Sequence, residues 1–170
     1  MNYCYKFPVV RGIQANREYY IAMIPLKMLK KLFSGDDDYI LPEYRAQRRV
    51  NESRIPVISR YILENENSYV FSALAASIDG EFNFVPYGDT NLGILEISLD
   101  ANFLLNDGQH RKAAIEQALL EKPNLGDETI SIVFYKDLGL KQSQQIFTDL
   151  NKHAVKTSNS IAELYDSRDE

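Results

Sequence analysis

The sequence contains no tryptophan, one cysteine and two histidines among its 170 residues. Because Cys4 is the only thiol, an intrachain disulfide and a cysteine metal cluster are both excluded. His110 and His153 do not form an H-x-x-x-H pair, so we predict no metal site. The sequence also lacks a G-x-x-x-x-G-K-[ST] loop and a G-x-S-x-G elbow, which excludes a P-loop nucleotide site and a hydrolase of the elbow type.

Long apolar runs and an excess of basic residues are absent as well. No apolar stretch is long enough to span a bilayer and no signal-peptide pattern is present, so we expect a cytoplasmic protein without a membrane partner. A net charge of −5 argues against a protein that binds nucleic acid over its whole surface. Any contact with DNA or RNA must therefore come from a local patch.

The pattern of apolar residues predicts an α+β domain with a mixed sheet and flanking helices. Strands are predicted at 3–10, 18–24, 69–78, 81–85, 92–99 and 129–135, and helices at 26–33, 44–63, 109–120 and 141–150. The first two strands should form a hairpin, and Asp79-Gly80 predicts a second hairpin between the third and fourth. We expect one domain over residues 1–156 and, at 157–170, the start of a further helical region that the end of the chain cuts short.

The most informative motif is Asp107-Gly108-Gln109-His110-Arg111, between a predicted strand and a predicted helix. A helix start exposes unpaired backbone N–H groups and the positive end of the helix dipole. Glycine allows close approach to the backbone, and arginine offers a planar set of donors that matches phosphate. The motif therefore predicts a site for the phosphate of a nucleotide or of a nucleic acid.

An alternative interpretation is structural. Asp-Gly is a common turn, and Asp107 can cap the following helix, which would leave His110 and Arg111 as solvated side chains of the first turn. A basic pair at this position opposes the helix dipole, which weakens an explanation based on stability alone.

A second feature is a cluster of arginines in the predicted helix at 44–63. Five arginines lie within sixteen residues: Arg45, Arg48, Arg49, Arg54 and Arg60. Glu52 is the only acidic residue in that interval, so the segment is strongly positive on an acidic protein. We expect Val50, Val57 and Tyr61 to face the core. The arginines then form either a DNA-binding face, with Arg45, Arg48, Arg49 and Arg54 contacting phosphates, or a solvated face whose aliphatic stems cover apolar surface.

These motifs resemble the DGQHR-domain family and, within it, the DndB family, whose genes accompany those for bacterial DNA phosphorothioation, also called DNA sulfur modification. The resemblance rests on the pentapeptide, on Gln47-Arg48-Arg49-Val50-Asn51 with Arg54, on Phe71-Ser72-Ala73-Leu74 and on Phe147-Thr148-Asp149-Leu150-Asn151. It implies a ParB/sulfiredoxin-like fold, in which a G-x-x-R-x-x-A segment binds nucleotide phosphates. Gly108, Arg111 and Ala114 keep that spacing. Gln109 replaces the reactive cysteine of sulfiredoxins, so thiol chemistry is excluded there.

The resemblance implies a DNA-binding repressor that acts on the promoter region of its own modification gene cluster. One alternative is a nucleotide-binding switch or nucleoside triphosphatase that takes ATP or CTP with Mg²⁺ at residues 107–111, with Asn151 completing the site. Another is a scaffold for the DNA phosphorothioation enzymes. A homo-oligomer is compatible with each of these functions, and no catalytic residue is assigned.

Overall fold

A computed structural model describes residues 3–34 and 52–137, together with residues 139, 145, 148 and 149. Seven strands form one sheet: β1 (Cys4–Gln14), β2 (Arg17–Pro25), β3 (Leu74–Asp79), β4 (Phe82–Pro86), β5 (Leu92–Ser98), β6 (Asn102–Asp107) and β7 (Thr129–Lys136). The α-helices within residues 3–34 and 52–137 are α1 (Leu29–Leu32), α2 (Arg54–Glu64) and α3 (Gln109–Glu121). Two 3-10 helices accompany them, Leu26–Met28 and Pro123–Asp127.

The N-terminal hairpin forms as predicted. β1 and β2 are antiparallel, and Ala15 and Asn16 connect them with φ values of 52° and 59°. Positive φ at both central residues defines the two-residue turn whose twist matches that of paired strands. Pro25 then ends β2 and begins the helical segment that buries Leu26 and Leu29.

The sheet is mixed, because β3 runs parallel to β7 whereas the other pairs are antiparallel. Its strand order is β4-β5-β1-β2-β7-β3-β6. In a flat sheet, the five steps from β3 to β4 would span about 24 Å, yet the chain from Asp79 to Phe82 reaches at most about 11 Å. The sheet is therefore strongly curled, and its two ends approach each other.

Contacts across the interior agree with this curvature. A Cβ at Gly80, in the β3–β4 connection, would lie 2.7 Å from the Cβ of Ala101, in the β5–β6 connection. The ring centroids of Tyr5 in β1 and Phe103 in β6 are 5.9 Å apart, and Phe103 is 5.9 Å from Phe134 in β7. The core lies within the curled sheet and under α3, where Ile115 is 1% exposed.

Three expectations about local structure are wrong. The strand predicted at 69–78 begins only at Leu74, and residues 69–73 have no regular secondary structure. Asp79-Gly80 does not close a hairpin between β3 and β4. The two edges of β3 are already occupied by β6 and β7, and β4 pairs with β5 instead. Val57 is 70% exposed and does not face the core. Pro56 lies in the first turn of α2, where it leaves the helix uninterrupted.

The α+β class and the mixed sheet are confirmed. Most of the predicted helix at 141–150 and the whole of the predicted region at 157–170 lie outside the described residues.

Candidate functional site

The pentapeptide occupies the predicted strand-to-helix junction. Asp107 ends β6, and α3 begins at Gln109. Gly108 lies between them with φ +103° and without a side-chain cap on the helix. A Cβ at Gly108 would lie 2.3 Å from Cδ2 of Leu74, which is fully buried. Both the backbone conformation and the packing therefore require glycine at this position.

Arg111 binds backbone and side-chain groups of the protein itself. Its Nη1 donates to the carbonyl of Ser72 at 2.8 Å and to the carbonyl of Ala73 at 3.2 Å, and it also contacts the Ser72 hydroxyl. Its Nη2 forms an ion pair with Oδ2 of Asp107 at 3.3 Å. The guanidinium thus joins the first turn of α3 to the segment that precedes β3.

These contacts explain how a basic residue is tolerated at the start of a helix. The Asp107 carboxylate supplies negative charge next to the positive end of the dipole and partly neutralises Arg111. Gln109 Nε2 donates to the Leu105 carbonyl at 3.0 Å, and His110 is half-buried. An anion at this turn would have to compete with Asp107 for the guanidinium, and the phosphate-binding role of residues 107–111 stays a prediction.

A buried polar pair reinforces the strands next to the junction. The Ser77 hydroxyl in β3 donates to Oδ1 of Asn106 in β6 at 2.8 Å, and the two residues are 0% and 1% exposed. The β3–β6 register shifts between Ala75 and Ala76, so that Ala75 pairs with Asp107. The hydrogen bond fixes the pairing close to the residue that begins the motif.

The arginine segment is described only in part. Arg45, Arg48, Arg49 and Asn151 lie outside the described residues. Arg54 is exposed in the first turn of α2. Arg60 forms ion pairs with Glu64 at 3.3 Å and Glu121 at 3.6 Å, so its charge is balanced within the protein. Among the described arginines of the segment, Arg54 is therefore the better candidate for a DNA phosphate contact.

Sequence reasoning did not find a cleft of about 880 Å³ at one end of the curled sheet. Strands β1, β2, β4 and β7 supply most of its walls. Aromatic side chains line it: Tyr19, Tyr20, Phe82, Phe84 and Tyr135. Charged side chains also line it: Arg11, Arg17, Glu18, Glu81, Lys136 and Asp149. No local motif marks this site, because its residues come from four distant parts of the chain.

A second cavity, of about 420 Å³, lies at the other end of β2 and β7. Tyr69, in its wall, donates a hydrogen bond to Glu128. Burial, reinforced by that bond, raises the pKa of Tyr69 to about 12. Within the described ranges, no group of three or more His, Cys, Asp or Glu side chains is arranged to hold a metal ion. No helix in this part of the chain is long and apolar enough to cross a membrane.

Comparison with known proteins supplies the family. The sequence model of the DndB family, described as DNA-sulfur modification-associated, matches residues 7–170. Neither the curated proteins nor the solved structures give a match. The ParB/sulfiredoxin-like assignment therefore stays a prediction. Since the family match covers nearly the whole sequence, including both the arginine segment and the pentapeptide, the chain belongs to the DndB family of DNA-sulfur modification-associated proteins.

Proposed function

We propose that this chain is a DNA-binding regulator, acting as a repressor on the promoter region of its own DNA phosphorothioate modification cluster. The observation that carries the proposal is the family match over residues 7–170. Repression at a promoter requires a protein that binds DNA, and affinity for DNA comes largely from contacts with its phosphates.

The distribution of charge supports this proposal. On a protein with a net charge of −5, a DNA site has to be a local basic surface. The arginine segment carries the positive charge that such a surface needs, and Arg54 has an exposed side chain without an ion pair to a described residue. Arg60 differs, because Glu64 and Glu121 already balance its charge.

The experiment measures binding of the purified chain to a fluorescent duplex from its own promoter over a range of salt concentrations. If the arginines contact phosphates, the logarithm of the association constant falls linearly with the logarithm of salt concentration. Each lost phosphate contact should reduce that slope by about 0.9. The variant R48A/R49A/R54A should therefore lose affinity and show a shallower slope.

Arg60→Ala is the matched control, because it removes an arginine of the same segment that is ion-paired within the protein. It should leave the salt dependence of binding unchanged. The proposal fails if the unaltered chain does not bind the promoter duplex at low salt. The assignment of the contact surface fails if the triple variant binds like the unaltered chain.

One observation favours a second candidate, a scaffold for the phosphorothioation enzymes with a structural pentapeptide. Arg111 already binds Ser72, Ala73 and Asp107. A scaffold should capture those enzymes whether or not residue 111 is arginine. A pull-down with the folded Arg111→Ala variant measures this, and loss of capture would contradict the scaffold.

The nucleotide-binding alternative requires Arg111 to bind a phosphate. A phosphate of ATP or CTP, with Mg²⁺, would have to replace Asp107 as the partner of Arg111. Calorimetric titration with each nucleotide, with and without Mg²⁺, should then give binding that Arg111→Ala abolishes while the variant stays folded. Unchanged affinity in that variant would contradict a nucleotide site at residues 107–111.

A further inference from the structure

The cleft at the end of the curled sheet has the form of a ligand site. Curling brings β4 against β2, where the ring of Tyr20 lies 5.9 Å from Phe82 and 5.7 Å from Phe84. These rings form an apolar wall beneath a charged rim. A volume of about 880 Å³ is within the range of small-molecule sites, and the mouth of a curled or closed sheet is a frequent place for them.

A pair of stacked tyrosines lies at the rim of the cleft, on the face of β2 opposite to Tyr20. The rings of Tyr19 in β2 and Tyr135 in β7 lie 5.9 Å apart and nearly parallel, with an angle of 15° between their planes. Both side chains are half-buried. A Cβ at Gly12 would lie 2.8 Å from the Tyr19 ring, so glycine there leaves room for the ring to lie over β1. The two rings are thus held in place, and such surfaces stack with the bases of nucleotides.

The charged side chains of the cleft indicate which group the ligand carries besides an aromatic ring. Arg11 is neutralised by Glu18 at 3.6 Å and lies over the Phe84 ring at 4.5 Å. Arg17 and Lys136 are exposed and have no ion pair with a described residue, so they can bind an anion.

Two carboxylates on the rim limit how much negative charge the ligand can carry. Glu81 and Asp149 are both exposed there. They would repel a polyphosphate, whereas they can accept hydrogen bonds from the amino groups of a base. The cleft therefore suits one phosphate attached to a heteroaromatic ring.

We propose that this cleft binds a nucleotide unit with a single phosphate, stacking its base on Tyr19 and Tyr135 and binding its phosphate through Arg17 and Lys136. The unit comes either from a free nucleoside monophosphate or from an unpaired DNA strand. Only the second source rests on the proposed DNA-binding function. The site is separate from the pentapeptide, which does not line the cleft.

The test titrates the full chain with dAMP, with ATP and with a ten-nucleotide single-stranded oligothymidylate, by calorimetry. We expect binding of dAMP, of the oligonucleotide, or of both, and weaker binding of ATP than of dAMP. Stacking on aromatic side chains contributes enough that Tyr19→Ala should weaken binding about fivefold to a hundredfold. Tyr19→Phe should retain binding, because the ring and not the hydroxyl stacks on the base.

Arg17→Ala provides a variant at an exposed position, where folding should be unaffected, and it should also weaken binding. Matched controls are Tyr87→Ala, which removes an exposed tyrosine outside the cleft, and Lys30→Ala, which removes an exposed lysine of α1. Neither should change affinity.

Each result decides the matter. Binding of dAMP that depends on Tyr19 and Arg17 supports a free nucleotide, and binding of the oligonucleotide alone with the same dependence supports an unpaired strand. The proposal is overturned if neither probe binds, if binding depends on neither Tyr19 nor Arg17, if ATP binds more tightly than dAMP, or if Arg111→Ala abolishes binding while Arg17→Ala does not. Promoter duplex binding is measured separately, so its failure with intact dAMP binding would refute the proposed function alone.

Discussion

Replacing Gly108 by alanine should destabilise the protein through two separate effects. At φ +103°, an L-residue is strained, which costs about 1–3 kcal/mol. The new methyl group would also lie 2.3 Å from Cδ2 of Leu74, which is 0% exposed, so the Leu74 side chain would have to shift within the core. Overpacking of a core typically costs about 1–3 kcal/mol. We therefore expect Gly108→Ala to lower the free energy of unfolding by about 2–6 kcal/mol.

Gly88→Ala provides a control with a positive φ and no packing contact. Gly88 also has a positive φ, +62°, but a Cβ there would meet no atom within 4 Å. The free energy of unfolding that Gly88→Ala loses should come from backbone strain alone, about 1–2 kcal/mol. Urea unfolding of both variants, followed by circular dichroism, gives the two free energies, and an unchanged m-value confirms that each variant unfolds from a similarly compact state.

Equal losses in the two variants would refute this account of the junction. Gly108 would then be needed only for its backbone conformation, and the close contact with Leu74 would not contribute to the loss of stability. A larger loss at Gly108 would show that the backbone conformation and the Leu74 contact together require glycine in the motif, before any ligand is considered.

Three further predictions concern stability. Arg111→Ala removes charged hydrogen bonds to Ser72, Ala73 and Asp107. It should lower the free energy of unfolding, measured in urea, by about 1.5–3 kcal/mol. A change within about 0.5 kcal/mol, the usual range for surface substitutions, would contradict the conclusion that Arg111 joins α3 to the segment before β3. Ser77→Ala removes the buried donor to Asn106 and should lower the free energy of unfolding by about 1–3 kcal/mol. The exposed control Ser34→Ala should lower it by less than about 0.5 kcal/mol. Equal losses would show that the Ser77–Asn106 hydrogen bond does not contribute to stability. Burial, reinforced by the hydrogen bond to Glu18, raises the pKa of Tyr20 to about 12 from 10.0. The unfolded chain therefore loses the phenol proton at lower pH than the folded chain does. Titration of Tyr20 should not change the free energy of unfolding below pH 10.0, and it should lower that free energy as the pH rises from 10.0 towards 12. Tyr20→Phe should make that fall shallower in urea unfolding at alkaline pH, and an identical fall would refute the contribution of Tyr20.

Local signals predicted local structure well. The hairpin of β1 and β2, the start of α3 at Gln109 and β7 all follow from residues that lie close together in sequence. The pairing of β3 did not follow, because Asp79-Gly80 is a turn signal only when the two flanking strands are free to pair with each other. Here the partners of β3 are strands that come later in the chain, β6 and β7.

The candidate sites show the same limit. The motif at residues 107–111 was visible as a contiguous string, and its position at a strand-to-helix junction is as predicted. The partners of Arg111 were not visible, since Ser72 lies 39 residues away along the chain. Tyr19 and Tyr135 likewise become neighbours only through the pairing of β2 with β7, which no short pattern announces.

The pairing of β2 with β7 also has a consequence for synthesis on the ribosome. The hairpin that ends at Pro25 cannot acquire its second neighbour until Lys136, the last residue of β7, has been made. At about 5–20 residues per second, this delay is on the order of ten seconds. Throughout that time the edge of β2 that β7 will cover stays unpaired, which favours pairing with the wrong strand or with another chain.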